Sequence, residues 1–498
     1  MKRILVIISL CSLFFSACDS LDLSPEDYFA TGNYWSSTSL VNSNMLALHY
    51  DLRSTHEVRY FFGEARGGTS LLNTTIINTS IENTSPIKDN TFTKDATGVS
   101  DWYNLYPHIM RVNHFISEVE KGCTFLSASD RGYYLGQAYG LRAYHYFMLY
   151  RAYGGVPVID QAKVVEGVTS AEDLYVARST PKETLDFIKS DIAKLKLKAE
   201  TYLWSAKVPD RDQQPETNDL QIAKDALLQL VDKFTLLPNF SDVFEYSNKE
   251  NKEIIMAMRF LDGEAANSAA KFAYPPTFIN RVYGSNGVLM GDTLQMLNKG
   301  LYFHAFKYEL FAFFTSISIF SLRRNATFID FYLKDKDGNV TNKGVALRKG
   351  VGIVNSSGNR VFVSDVVIYR YAEVLLMLAE IENKLGNDPS PYINQIRQRA
   401  YSVNYDPAVH AHVNGSFEEN ELAILFERDK EFVYEGKRWH DIRRMQDASG
   451  RALVFSPIVH YGSEQPILDY NKESYKVLWP INVGLITGDP LVEQTPGY

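Results

Sequence analysis

Helical periodicity dominates this chain. Residues 101–121 place Tyr103, Tyr106, Ile109, Val112 or Asn113, and Ile116 on one stripe, the spacing of a helix face that packs on a core. Residues 130–153 are rich in Tyr and Ala, and Gly154-Gly155 stops the run. Ala138, Ala143 and Ala152 allow neighbouring helices to approach closely. Thr180, Pro181 and Glu183 form a capping-box signature that opens a helix over 180–198, with Leu185, Ile188, Ile192 and Leu195 as its apolar face. Further helices are predicted over about 220–234, 366–385 and 390–399. A second capping box, Ser416-Phe417-Glu418-Glu419, leads into one over 421–434 that Gly436 ends. Leu422, Leu425, Phe426, Phe432 and Val433 are its expected buried stripe.

Two regions break the pattern. Residues 54–100 are rich in Gly, Thr, Asn and Ser. Residues 238–365 hold turns at Asp262-Gly263, Asp337-Gly338-Asn339 and Ser357-Gly358-Asn359 between short β-rich runs. Loops this long in a compact domain are usually functional or disordered. One run, Leu301–Leu322, is strongly apolar, but His304, Lys307 and Glu309 within it argue against a membrane span. Helix pairs with short connections, split by long insertions, predict a mostly α fold of about four tetratricopeptide-like pairs, with a loop-rich, partly β region packed alongside.

The first residues, MKRILVIISLCSLFFSACDS, change the picture. Lys2 and Arg3 precede a short apolar core and a small-residue exit at Ser16-Ala17-Cys18, the arrangement of a secretory signal. The apolar core is too short to span a bilayer comfortably. The expectation is a signal peptide over 1–17, cleavage before Cys18, and lipid attached to Cys18 on the outer face of the cell. Cys11 then leaves with the signal, so Cys123 is alone in the mature chain and can form neither an intramolecular disulfide nor a cysteine zinc cluster.

The net charge of −8 is spread without a basic stripe, which argues against nucleic-acid binding. Catalytic signatures are missing: there is no G-x-S-x-G, no H-E-x-x-H, no glycine-rich phosphate loop and no EF-hand loop. No cofactor or metal is expected, and His410 and His412 are read as loop residues. The 31 Tyr and 29 Phe are mostly core, but on loops such rings make platforms for sugar C–H faces. Two loop groups combine aromatic rings with planar polar side chains and are the candidate ligand contacts. The first is Arg59, Tyr60, Arg66 and Asn73; the second is Tyr274, Asn280, Arg281, Tyr283 and Asn286. Trp102, Trp439 and Trp479 are read as packing residues. Glu427, Arg428, Glu431, Glu435, Arg438, Asp441 and Arg443 are read as an ion-pair network joining helix ends.

Several blocks in order resemble a known family. They are Cys18-Asp19-Ser20-Leu21, Leu141-Arg142-Ala143-Tyr144 through Gly154-Gly155-Val156-Pro157, Asn251-Lys252-Glu253-Ile254, Tyr369-Arg370-Tyr371-Ala372-Glu373, Glu427-Arg428-Asp429-Lys430-Glu431-Phe432 through Trp439-His440-Asp441, and Trp479-Pro480-Ile481. Together they resemble the SusD/RagB outer-membrane nutrient-binding lipoproteins of Bacteroidetes polysaccharide-utilisation systems. The resemblance implies one domain over 18–498: a helical scaffold (about 36–54, 101–237 and 366–445), a loop-rich ligand region (about 55–100 and 238–365) and a tail (446–498). It also implies a SusC-like TonB-dependent barrel as partner, with the lipoprotein as its lid, and an oligosaccharide ligand that is bound and delivered. A peptide ligand, a lipid-anchored glycoside hydrolase and a pure scaffold are the alternatives. The chain departs from the family pattern where the apolar run Leu301–Leu322 stands in place of a polar stretch leading into Arg323-Arg324-Asn325.

Overall fold

The computed structural model describes residues 34–72, 75–76, 79–80, 85–98, 102–161, 170–193, 198–209, 214–273, 275–292, 295, 300–317 and 320–498. The expected signal peptide and Cys18 lie outside them. The N-terminal half is helical: α1 (Thr38–Ser54), α2 (His56–Tyr60), α3 (Tyr106–Lys121), α4 (Ala128–Tyr153), α5 (Pro181–Ala193), α6 (Ala199–Lys207) and α7 (Asp219–Leu228). A mixed region follows, with β1 (Ile254–Met258), α8 (Tyr308–Phe313), α9 (Leu322–Thr327), β2 (Phe328–Lys334), β3 (Val340–Leu347), β4 (Ile353–Val354), β5 (Arg360–Val361) and β6 (Val366–Arg370). Four helices complete the scaffold: α10 (Tyr371–Lys384), α11 (Ser390–Tyr401), α12 (Phe417–Glu431) and α13 (Arg438–Arg444). Helices α3 with α4, α6 with α7, α10 with α11 and α12 with α13 pack as neighbours, and α1 and α5 also pack on α4. Among the described residues no helix is long and apolar enough to cross a membrane.

Helix α4 is the axis of the scaffold. Every residue from Leu141 to Tyr153 is buried, the condition of a helix covered on all sides. Its charged members are therefore paired: Arg142 donates two bonds to Asp191, each 2.8 Å, and Arg151 donates to Glu200 at 2.7 Å. Both predicted capping boxes form. Thr180 Oγ1 accepts from the Glu183 amide at 3.2 Å while the Glu183 carboxylate accepts from the Thr180 amide at 2.8 Å. Ser416 and Glu419 make the same reciprocal pair.

Two expectations are corrected, and the apolar run left open by the sequence finds its place. Residues 366–385 do not form one helix: Val366–Arg370 is a strand, antiparallel to β1, and the helix starts at Tyr371. A run of Val, Val, Ile and Tyr favours a pleated, half-buried surface, and β1 supplies its partner. Residues 54–65 are not loop: α2 continues into one π-helical turn, Phe61–Ala65, because Tyr60, Phe61 and Phe62 are core residues. The apolar run from Leu301 is largely core, with Leu301, Phe303, Phe320 and Leu322 left exposed. Tyr302, Ala305, Phe306, Leu310, Phe311 and Phe314 are buried, and Phe306 stacks on Phe272 with ring centroids 5.9 Å apart.

Two turns of the mixed region share one design. The Asp335 side chain accepts from the amides of Asp337 and Asn339, and the Asn355 side chain accepts from those of Ser357 and Asn359. Gly338 and Gly358 hold φ of 85° and 75° in the left-handed region these tight turns require.

The interior of the C-terminal half is ionic. Glu431 is fully buried and accepts from Arg323, Arg370 and Arg399. Glu427 takes Arg323 at 2.6 Å and Arg397 at 3.0 Å, and Glu435 takes Arg370 and Lys349. Arg428 pairs with Asp441 at 2.8 Å, and Arg438 with Asp429. The network read from residues 427–443 exists, but Arg323, Arg370, Arg397 and Arg399 enter it from α9, β6 and α11. Burial pushes the Glu427 and Glu431 carboxyls up, but Lys430, Arg323 and Arg397 around the first and Arg399, Arg370 and Arg323 around the second hold both far below the ordinary carboxylate range.

Candidate functional site

The loop-rich region presents a strip of tyrosines. Residues 281–290 form a tight turn: the Gly284 amide donates to Val288 O at 2.9 Å, and the Asn286 side chain accepts from the Val288 amide at 3.0 Å. Gly287, at φ 77°, permits the reversal. The turn docks on β2 through a pair of backbone bonds, Tyr283 amide to Tyr332 O at 2.9 Å and Tyr332 amide to Tyr283 O at 2.8 Å. Tyr332 in turn shares a hydroxyl–hydroxyl bond of 2.8 Å with Tyr308 at the start of α8. Lys334 Nζ lies 4.6 Å from the centre of the Tyr283 ring, and Lys343 Nζ 4.2 Å from that of Tyr308. All three tyrosines are partly exposed. Leu72, Leu301 and Phe303 are exposed in the same loop-rich region.

This arrangement offers flat apolar ring faces beside ammonium groups. Tyr332 keeps its proton across the physiological range, because burial, the Tyr308 hydroxyl and Asp330 all raise its ionisation. The strip therefore offers a hydrogen-bonding and stacking surface flanked by two lysines.

The sequence candidates divide sharply. Asn280, Arg281, Tyr283 and Asn286 come together on the surface of the 281–290 turn; Asn280 and Arg281 are exposed, and among the described residues the Arg281 guanidinium has no partner. Arg59, Tyr60 and Arg66 are buried and face inward. Arg59 donates to Val367 O and Glu435 O, each at 2.9 Å, and the Tyr60 hydroxyl bonds Ser70 at 3.0 Å. Arg66 lies 4.0 Å from the Trp439 ring centre and donates to Asn90 at 2.7 Å. These three brace the fold rather than open to solvent. Asn73 and Tyr274 lie outside the described residues. Sequence reasoning missed Tyr308, Tyr332, Lys334 and Lys343. The one available signal was the Asp337-Gly338 turn, whose flanking strands set Tyr332 opposite Lys343. Trp102, Trp439 and Trp479 are core residues, as read.

Comparison with known proteins gives one answer. The family model described as the SusD family matches residues 321–498, and one described as starch-binding associating with outer membrane matches residues 21–202. A SusD superfamily protein from Bacteroides fragilis is 37% identical, with a TM-score of 0.87 over 93% of this chain and 100% of that one. NanU of B. fragilis is 29% identical, with a TM-score of 0.80 over 96% of this chain and 100% of its own. SusD-like protein P38 of Formosa agariphila is 25% identical over 99% of this chain and 98% of its own. The chain belongs to the SusD family.

Proposed function

We propose that this protein binds oligosaccharide at the cell surface through its loop-rich face and passes it, unaltered, to a SusC-like TonB-dependent barrel over which it sits as a lid. Lipid on Cys18 holds it at the outer membrane. The observation that carries the reading is the partly exposed strip of Tyr283, Tyr332 and Tyr308 with Lys334 and Lys343 beside it. Ring faces take the C–H face of a sugar, while ammonium and hydroxyl groups meet its hydroxyls. Family membership and the starch-binding description of one matching model support the same class of ligand. Asn280, Arg281 and Asn286 are assigned to the rim of this site.

The test is affinity-gel retention of the mature chain, made lipid-free by Cys18→Ala, on a panel of polysaccharides, with products monitored. Retention without cleavage that weakens in Tyr283→Ala is the expected result. Release of product would overturn it in favour of an enzyme. Co-purification of the lipidated chain with a large outer-membrane barrel tests the lid role.

A further inference from the structure

At the Phe328–Leu347 end of the hairpin, β3 runs directly into the wall of a second concavity of about 740 Å³, within the range of small-ligand sites. It is walled by residues 239–245, by α9, and by the segment that follows β3. None of the tyrosines of the strip lines it. Its lining mixes ring and aliphatic carbons (Phe240, Phe244, Leu322) with planar polar groups (Asn239, Asn325, Arg348), the combination a saccharide needs.

Two guanidinium groups line this cleft, and they differ. Arg360 is half-buried and already compensated: it donates to Gly352 O at 3.1 Å, and Glu245 and Asp292 act on it electrostatically. Arg348 is exposed to the cleft, and among the described residues its side chain has no hydrogen-bond or ion-pair partner. Its backbone is nevertheless fixed. The amides of Arg348 and Lys349 both donate to Thr327 O, at 2.8 and 3.2 Å, and the Lys349 side chain is anchored on Glu431 O, Val433 O and Glu435 in the buried network. Gly350 and Gly352, at φ 66° and 74°, then fold the chain back; a Cβ on Gly352 would lie 1.9 Å from Val361 O. The concavity thus holds one uncommitted planar cation on a rigid base, the geometry that takes a carboxylate or sulfate ester in a two-pronged grip.

We propose that this cleft is a second carbohydrate site, separate from the tyrosine strip, that selects saccharides bearing an anionic substituent through Arg348. The inference rests on the saccharide-binding reading for its class of ligand, not for its location. The test is calorimetric titration of the mature Cys18→Ala chain with trimers of galacturonate, guluronate and glucuronate, a sulfated tetrasaccharide, and neutral trimers. At least one acidic member binds, Arg348→Gln weakens it about tenfold or more, and Arg348→Lys weakens it less. Tyr283→Ala leaves that binding unchanged, and circular dichroism shows each variant folded. Uronates and the sulfated probe separate the two sources of negative charge. The proposal is overturned if no acidic member binds, or if Arg348→Gln binds it as the parent does. Neutral oligosaccharides held through Tyr283, with acidic ones indifferent to Arg348, would defeat this inference alone. Failure of every saccharide to bind would defeat the functional reading as well.

Discussion

Arg370 donates to Glu431 at 2.6 Å, and neither side chain has any exposure to solvent. The pair joins β6 to α12, and Glu431 also serves Arg323 and Arg399. Removing one partner of such a set leaves uncompensated charge in the interior. Glu431→Gln is therefore expected to cost about 3–5 kcal/mol, read as a lower midpoint in urea unfolding. A loss under about 1 kcal/mol would show that water reaches the arginines and that the network is not closed.

Gly63 touches Gly436 across most of the chain's length. A Cβ on Gly63 would lie 2.0 Å from the Gly436 carbonyl oxygen, and both sides are backbone, with no flexible side chain to move. Gly63→Ala is expected to destabilise by more than the ~1–3 kcal/mol usual for overpacking. Expression yield and thermal unfolding of the variant check this; a parent-like melting temperature would contradict the close contact.

Mild acid should weaken the fold through its buried histidines. Burial lowers His145 and His304 to about 3, and drives His440, set among Arg151, Arg443 and Lys437, well down too. A depressed histidine binds its proton in the unfolded chain first, so its stabilisation is complete above pH 6.5 and falls as pH drops below that. His145 and His304 each contribute a loss of about 2 kcal/mol by pH 5, and His440 acts in the same direction. Glu64, raised to about 7 by burial, acts with the opposite sign and offsets roughly one of them. Stability measured from pH 7 to pH 5 should therefore decline, and His145→Gln should flatten the slope by one proton's worth.

The capping box of α12 gives a smaller, local test. Ser416 Oγ accepts from the Glu419 amide at 3.3 Å, and the Glu419 carboxylate returns to the Ser416 amide at 2.8 Å. Ser416→Ala should cost about 1 kcal/mol, while Ser416→Asp should retain most of the stability. Equal losses in both would mean that the hydroxyl acts through some other contact.

Local signals carried the helices well. Thr180-Pro181 and Ser416 open helices where their capping chemistry says they should, and Gly154-Gly155 ends α4. What local signals missed depends on distant partners. Val366–Arg370 reads as the first turn of an apolar helix until β1, more than a hundred residues earlier, offers it a ladder. Arg59 and Arg66 sit in a polar, glycine-containing stretch that looks like a ligand loop, yet their acceptors, Glu435 O and Lys476 O, come from the far end of the chain. The tyrosine strip was half legible for the same reason. Tyr283 stood out beside Arg281 and Asn286, whereas Tyr308 and Tyr332 join it only through cross-strand and hydroxyl bonds.

The tail closes the molecule. The Trp479 amide donates to Ala152 O at 2.8 Å, the Trp479 ring stacks on Phe92 at 5.0 Å, and the Arg178 side chain holds Glu493 O. The last twenty residues therefore complete the packing of helices synthesised hundreds of residues earlier. Residues this far apart in sequence must meet before the core is complete, so the entropy of loop closure is spent before the packing rewards it, and folding is slow.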